Sequence, residues 1–190
     1  MLPWPSWPSG REAPGALELV RHLCNTTNRA NGADRLRDPA ELDAWLEWEG
    51  RAPVRASATE VARLRVLRGA LHRLAAAHTA AATGDESERL SALERVVDVV
   101  GTAPLHVVAS GGDLTLVPLD ATPFDMLLGE LAAALLHAAR SGELLRLKSC
   151  AHCHWVVYDG SKNRGGRWCS MGVCGGRENA RAYRRRRAAR

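Results

Sequence analysis

The chain has 190 residues, 46% of them apolar, so it is long enough for one packed domain and a small additional module. Its 26 basic and 21 acidic residues give a net charge of +5. Membrane spans need roughly 18 uninterrupted apolar residues, and signal peptides need a basic start and an apolar centre. The sequence has neither feature, and we therefore expect a cytoplasmic protein without membrane contact.

The first residues carry prolines at positions 3, 5 and 8, which continue neither a helix nor a central strand. We predict a disordered N-terminal segment over residues 1–14. A short helix over residues 16–24 follows and ends at a polar stretch that begins with Asn25 and Thr26. These two residues, together with Trp45, are candidates for a small-molecule pocket. Alternatively, Asn25 and Thr26 only cap the helix and a turn.

Three further helices are predicted from their first turns. Asp38 precedes Pro39, Ser57 precedes a glutamate at the third helical position, and residues 85–88 repeat this pattern. In the third of these helices we expect an inward stripe, which consists of Leu90, Leu93, Val97 and Val100.

The apolar pattern then changes its period. Residues 105–109 and 114–118 flank a Ser-Gly-Gly-Asp sequence, which indicates a β-hairpin. A last apolar helix starts at Thr122 and ends at Gly142. The sequence therefore predicts a mainly α (α+β) fold, in which a helical domain over residues 15–145 contains one β-hairpin.

Catalytic motifs are missing from this domain: there is no Gly-x-Ser-x-Gly, no His-Glu-x-x-His and no phosphate-binding loop. His72 and His78 are six residues apart on one predicted helix and do not share a face, so we expect ordinary packing or surface roles for them. The sequence does not predict an enzyme.

Four of the five cysteines lie close together near the C-terminus. Cys150 and Cys153 form one pair, and after fifteen residues Cys169 and Cys174 form a second. Two such pairs supply the four thiolates of one tetrahedral Zn²⁺ ion. Cys24 stands alone and is expected to fill space in the core.

The surrounding residues predict a treble-clef-like module over residues 146–190. A strand is expected at 155–158 and a hairpin turn at 159–163. A glycine turn after Cys174 is expected to start a helix, so that the second cysteine pair lies at a helix N-terminus.

Charge is distributed unevenly along the chain. Residues 146–190 carry a net charge of +10, whereas residues 1–145 carry −5. A basic end on an acidic body is expected of a protein with one nucleic-acid-binding end. The candidate nucleic-acid contacts are nine basic residues of this module, which are Lys162, Arg164, Arg167, Arg177, Arg181, Arg184, Arg185, Arg186 and Arg187.

Several short motifs in this region resemble one known family. They are Cys150-x2-Cys153, Trp155, Tyr158-Asp159, Ser161-x-Asn163-Arg164, Arg167-Trp168-Cys169-Ser170-Met171 and Cys174-Gly175-x-Arg177. This combination is similar to the CGNR zinc-finger proteins, whose N-terminal part is called the ABATE domain. Those proteins are regarded as bacterial stress-induced transcription regulators. Where their signature has Asn, this chain has Gly176, which keeps a backbone turn but loses any hydrogen bond from the side chain.

The N-terminal half resembles the ABATE domain through Asn25-Thr26 and a Leu-x-x-Pro-x-x-Leu-x-x-Trp-Leu pattern that ends at Trp45-Leu46. The sequence therefore predicts a zinc-dependent protein that binds duplex DNA and regulates transcription, with an effector or partner at its N-terminal domain. Two alternatives remain. In one, the zinc module is structural or binds proteins, and the arginines are a solvated terminus. In the other, the target is RNA.

Overall fold

The computed structural model describes residues 11–28, 32–80, 86–119 and 121–188. Residues 1–10 of the predicted disordered segment, and the predicted cap at Asp85, lie outside these ranges. Residues 11–14 belong to the folded body: Ala13 is buried in the core, and the Arg11 carbonyl accepts a hydrogen bond of 3.1 Å from the Tyr158 N–H. The folded part of the chain therefore includes residues 11–14, which the sequence predicts to be disordered.

Within the described residues the fold is mainly helical, with three short antiparallel hairpins. The helices are α1 (Leu17–Cys24), α2 (Pro39–Trp48), α3 (Ala58–Thr79), α4 (Glu86–Val100), α5 (Pro123–Ser141) and α6 (Gly176–Ala188). The hairpins pair β1 (Thr27–Asn28) with β2 (Ala33–Asp34), β3 (Leu105–Ser110) with β4 (Asp113–Pro118), and β5 (Leu147–Ser149) with β6 (Val156–Tyr158).

The helix boundaries follow the predicted caps. The Asp38 carboxylate accepts a hydrogen bond from the backbone at the start of α2. At the start of α3, Ser57 and Glu60 form a reciprocal capping box, and Thr122 caps α5. Gly142 ends α5 with a φ of 76°, a left-handed conformation that favours glycine.

The main core is built around α3, which packs against α1, α4 and β5. The apolar stripe of α3 is buried from Val61 to Ala75. The inner face of α5, which includes Leu128 and Leu131, closes the same core. This burial provides the hydrophobic stabilisation of the helical body.

The predicted inward face of α4 is half right: Leu93 and Val100 pack against the core, whereas Leu90 and Val97 do not. Leu90 and Val97 are 48% and 62% exposed, and the buried residues of this helix are Ala92, Val96 and Val99. Two apolar stripes at helical spacing run along α4, and packing against α3 selects the one that begins with the small Ala92.

The β3–β4 hairpin has the predicted position and turn. Gly111 and Gly112 both have positive φ, 60° and 84°, as a two-residue hairpin turn requires. Ser110 pairs with Asp113 beside the turn.

The β5–β6 hairpin joins the metal-binding region to the helical body. Leu147 and Val156, one from each strand, are buried in the main core together with Leu144. The side chain of Asn25 donates to the Val156 carbonyl at 2.8 Å and accepts from the Val156 N–H at 2.9 Å. The predicted boundary between residues 145 and 146 thus separates elements that share one core. None of the described helices combines the length and the apolar character needed to cross a membrane.

Candidate metal centre and nucleic-acid interface

The first cysteine pair lies in the turn of the β5–β6 hairpin. Cys150 follows β5, its N–H donates to the Trp155 carbonyl at 2.8 Å, and its carbonyl accepts from the His154 N–H at 2.9 Å. These bonds close a tight turn that contains Cys153. The strand predicted at 155–158 is present, but its partner is β5, and residues 159–163 are not a hairpin turn.

The second pair surrounds the first turn of the last helical stretch. Cys169 precedes a wide helical turn over Met171–Gly175, and Cys174 lies within it. The Ser170 carbonyl accepts hydrogen bonds from the N–H groups of Cys174 and Gly175 at 3.1 and 3.0 Å. This turn continues directly into α6, so the second pair lies at a helix N-terminus, as the sequence predicts.

The four predicted cysteines form one cluster. Their sulfur atoms all lie within 4.8 Å of one another. The Sγ–Sγ distance is 3.7 Å for Cys153–Cys169 and 3.5 Å for Cys169–Cys174. A tetrahedron with Zn–S bonds of about 2.3 Å has S–S edges of about 3.8 Å. The donor set and its dimensions therefore fit a tetrahedral metal site.

Without a cation, the four sulfurs cannot all be ionised. Hydrogen bonds from Cys153 and Cys169 hold the pKa of Cys150 well below its ordinary range. The bond to Cys150 raises the pKa of Cys153 to about 11, and hydrogen bonding to Cys150 also raises the pKa of Cys169. A bound divalent cation removes this competition, because it stabilises all four thiolates at once.

Asp159 organises the loop between the two cysteine pairs. Its carboxylate is 1% exposed and accepts hydrogen bonds from the N–H groups of Ser161 and Gly166 at 3.1 and 2.7 Å. The ammonium group of the buried Lys148 lies 3.8 Å away and also donates to the Arg164 carbonyl. Burial alone raises the pKa of Asp159, but these hydrogen bonds and the Lys148 charge hold it below its ordinary value.

No motif in the sequence predicts that Asp159 pairs with Lys148. Asp159 belongs to the Tyr158-Asp159 motif and to the Asp-Gly-Ser turn after β6, and these are its only sequence signals. Lys148 carries no signal, because lysine side chains are normally exposed.

The nine candidate nucleic-acid contacts are all exposed. Lys162, Arg164 and Arg167 lie on the loop that Asp159 organises, and the guanidinium of Arg167 stacks 5.7 Å from the ring centre of Trp168. The other six lie on α6, which has no buried residue and packs mainly on the metal-site turn.

The two glycines after Cys174 do not form the predicted turn. Gly176 has a helical conformation, with φ −63° and ψ −40°, so the backbone requires no glycine there. A Cβ atom at Gly175, in contrast, would lie 2.8 Å from the sulfur of Met171 and 3.1 Å from the Trp168 ring. Close packing thus explains Gly175, and at Gly176 a Cβ atom would lie 3.3 Å from the Met171 carbonyl oxygen, which is a milder crowding.

The three candidate pocket residues are all buried. Thr26 is fully buried, donates to the Leu23 carbonyl and accepts from Arg68 at 3.0 Å. Trp45 is buried in the main core, and Asn25 is bound to Val156. Of the three, only Asn25 lines a cleft beside the metal site.

The two histidines of α3 have the packing roles expected of them. His72 Nε2 lies 2.7 Å from the Cys24 carbonyl, and His78 Nδ1 lies 3.1 Å from the Leu147 carbonyl. Burial lowers the pKa of His78, so its neutral ring donates this bond.

Comparison with family models gives two matches. Residues 16–142 match the ABATE model, described as "Putative stress-induced transcription regulator", and residues 146–187 match the CGNR zinc finger. The comparison with curated proteins gives no match. Because the first match covers well over half of the chain and the second contains all four clustered cysteines, the protein belongs to the ABATE family and ends in a CGNR zinc finger.

Proposed function

We propose that this protein is a zinc-dependent, duplex DNA-binding transcription regulator. The observation that carries this proposal is α6, a helix with six exposed arginines that starts directly at the metal site. Phosphate contacts from arginine supply most of the affinity of DNA-binding helices.

The arginines of α6 are only partly compensated within the protein. Glu178 pairs with Arg185 at 3.0 Å and with Arg181 at 3.7 Å. Among the described residues, the other four form no ion pair; they are Arg177, Arg184, Arg186 and Arg187. One glutamate cannot neutralise six guanidinium groups, so α6 keeps a strong positive potential.

Arginines also share one face of α6. Residues 177, 181 and 184 follow the i, i+4, i+7 spacing that aligns side chains along a helix. Such a row suits the edge of a major groove, with the first arginine nearest the metal-held turn.

Zinc bound by Cys150, Cys153, Cys169 and Cys174 would fix the direction of α6. The turn that starts this helix contains Cys174, while the other pair lies in a hairpin anchored to the body. Small metal-binding modules are too small to form a stable hydrophobic core. The free energy of metal binding therefore stabilises their folded state. The zinc ion would thus cross-link the turn of the β5–β6 hairpin to the start of α6. The arginines of α6 would then provide the positive charge that meets the DNA.

Salt dependence of binding tests this function. If about five arginines neutralise phosphates, the logarithm of DNA affinity falls with the logarithm of salt at a slope of about −4 to −5. Replacing Arg184, Arg185, Arg186 and Arg187 with Ala is expected to flatten the slope by about one unit per lost contact. Fluorescence anisotropy with a labelled duplex measures both.

The matched control replaces four exposed arginines of the helical body, namely Arg65, Arg73, Arg95 and Arg140. It makes the same charge change and is expected to leave the slope unaltered. If the α6 variant binds like the wild type, the arginines are a solvated terminus and the module binds proteins instead. Tighter binding of RNA than of duplex DNA would favour the other alternative.

A further inference from the structure

A cleft of about 340 Å³ lies between the helical body and the metal-binding region. On one side it is lined by Asn25 and Thr27, at the end of α1 and in β1. On the other side are His152 and His154 of the first cysteine turn and Arg177 of α6. Its volume is at the lower end of the range for small-molecule sites, which is about 300 to 1,000 Å³.

The polar groups of this cleft are suited to an anion. Among the described residues that line it, none is acidic. Arg177 is permanently charged and forms no ion pair within the described part of the chain. The His152 Nδ1 atom lies 3.4 Å from a guanidinium nitrogen of Arg181, so a second arginine lies beside this lining residue.

The nearby metal centre does not cancel this positive character. One Zn²⁺ with four thiolates carries two net negative charges, and Cys153 and Cys174 line the same cleft. However, the side chains of residues 146–190 carry a net charge of +10. The region therefore stays positive when the metal is bound, and an anion that enters the cleft gains from this field.

We propose that the cleft binds a small phosphate-bearing molecule between Arg177 and the β1 side of the helical body. A phosphate group presents the oxygen acceptors that a guanidinium binds with two parallel hydrogen bonds. The bound molecule would bridge the helical body and α6. If α6 binds DNA as proposed above, occupancy removes Arg177 from DNA, and the ligand weakens DNA binding; this consequence rests on the proposed function.

Inorganic phosphate is the probe for the direct test, which contains no DNA. The zinc-loaded full chain is titrated with sodium phosphate and, separately, with sodium chloride at matched ionic strength, and backbone amide shifts are recorded by NMR. We expect saturable shifts with phosphate at residues 25–28, 152–154 and 173–177. We expect no saturable shifts with chloride.

Two arginine variants separate a site from general attraction. Arg177→Gln is expected to weaken phosphate binding about tenfold or more, because it removes a hydrogen bond between charged groups. Arg186→Gln makes the same charge change on the opposite face of α6, about two and a half turns further along the helix. It is expected to weaken binding by less than about twofold, because salt screens a distant exposed charge.

A third variant, Thr27→Asp, leaves α6 and the cysteines intact and puts a carboxylate on the opposite wall. It is expected to abolish the phosphate shifts while zinc content and circular dichroism stay unchanged. Equal losses in Arg177→Gln and Arg186→Gln, or unaltered phosphate binding in Thr27→Asp, would overturn the proposal. Loss of zinc in Arg177→Gln without any phosphate shifts in the wild type would also overturn it, and would assign Arg177 to the metal centre.

A second experiment compares a short DNA duplex with free phosphate as the ligand of the cleft. If a short duplex shifts the cleft residues and free phosphate does not, the cleft binds a backbone phosphate, and the small-molecule proposal is wrong. If both bind, added phosphate is expected to weaken duplex binding by the wild type more than by Thr27→Asp. Failure of DNA binding alone overturns the proposed function and leaves the phosphate result standing.

Discussion

At the residue scale, Asn25 shows how one side chain can connect two parts of the chain. Its amide donates to and accepts from the backbone of Val156, as a neighbouring strand would. Both residues are buried, so neither bond competes with water. The end of α1 is thereby fixed to β6, only a few residues from the first cysteine pair.

Cys24 differs from the four clustered cysteines in its surroundings, and this difference predicts which cysteines bind zinc. Cys24 is buried in the core, where burial raises the pKa of its thiol to about 12, so it is a poor ligand. We expect one zinc per chain in the wild type and in Cys24→Ser. In Cys169→Ser we expect little or no zinc, because three ligands lose most of the binding energy of a structural site. Elemental analysis measures this, and a Cys169→Ser protein with its full zinc content would contradict the ligand set.

Asp159 and Lys148 lead to a second prediction. Asp159→Asn removes one charge of a buried pair and is expected to cost about 3 to 5 kcal/mol of unfolding free energy near neutral pH. The folded pKa of Asp159 lies below its ordinary value of 3.8. Its stabilisation is therefore present above that value and is lost as the pH falls through the folded pKa.

Denaturant unfolding at several pH values measures the difference between wild type and variant. We expect a constant difference down to about the ordinary carboxylate pKa and a smaller one below it. Asp98→Asn, at an exposed position of α4, is the control with the same chemical change. A stability difference that Asp98→Asn matches, or that does not depend on pH, would show that the Lys148 pair is not the cause.

At the element scale, local signals in the sequence were sufficient to predict the starts of α2, α3 and α5. A cap such as Ser57 with Glu60 acts within one turn, so no distant contact changes it. The β3–β4 hairpin was predictable for the same reason, since its two glycines determine the turn. The spacing of the four cysteines also indicated their cluster.

Elements that depend on distant partners were not predictable in this way. The strand β5, Leu147–Ser149, contains a buried lysine and resembles a linker until β6 and Asp159 lie beside it. The partner of Asn25 is 131 residues away, and no periodicity indicates it. The face of α4 is a third case, because two apolar stripes were equally consistent with the sequence.

Adjacent valines on α4 allow a direct test of which face is buried. Val96 is 6% exposed, and Val97 is 62% exposed. Val96→Asp is expected to lower the unfolding free energy by about 3 kcal/mol or more, because it buries an unpaired carboxylate. Val97→Asp makes the same chemical change at a solvent-exposed position and is expected to lower the unfolding free energy by less than about 1 kcal/mol. Urea unfolding compares them, and a greater loss in Val97→Asp would restore the face that the sequence predicted.

At the scale of the whole molecule, two family regions meet in one core. The matches end at residue 142 and resume at residue 146. Nevertheless, Leu147 and Val156 pack with the helices, and His78 on α3 binds the Leu147 carbonyl. The metal-binding cysteine turns are thus connected to the helical body through the packed strands β5 and β6.

Truncation tests how far the helical body depends on this hairpin. A fragment ending at Glu143 loses the buried side chains of Leu144, Leu147 and Val156 and the hydrogen bonds of Asn25. Fully burying an aliphatic side chain is worth about 1.5 to 3 kcal/mol, so the three together supply about 4.5 to 9 kcal/mol. This is a large part of the unfolding free energy of a typical domain, which is about 5 to 15 kcal/mol. We therefore expect the fragment 1–143 to be partly unfolded by circular dichroism and to lose its cooperative denaturant transition. The fragment 1–168 keeps β5, β6 and Asp159 but lacks Cys169 and Cys174, and it should fold better although it cannot complete the metal site. Equal stability of the two fragments would mean that the helices fold without the hairpin and that the two regions are independent domains.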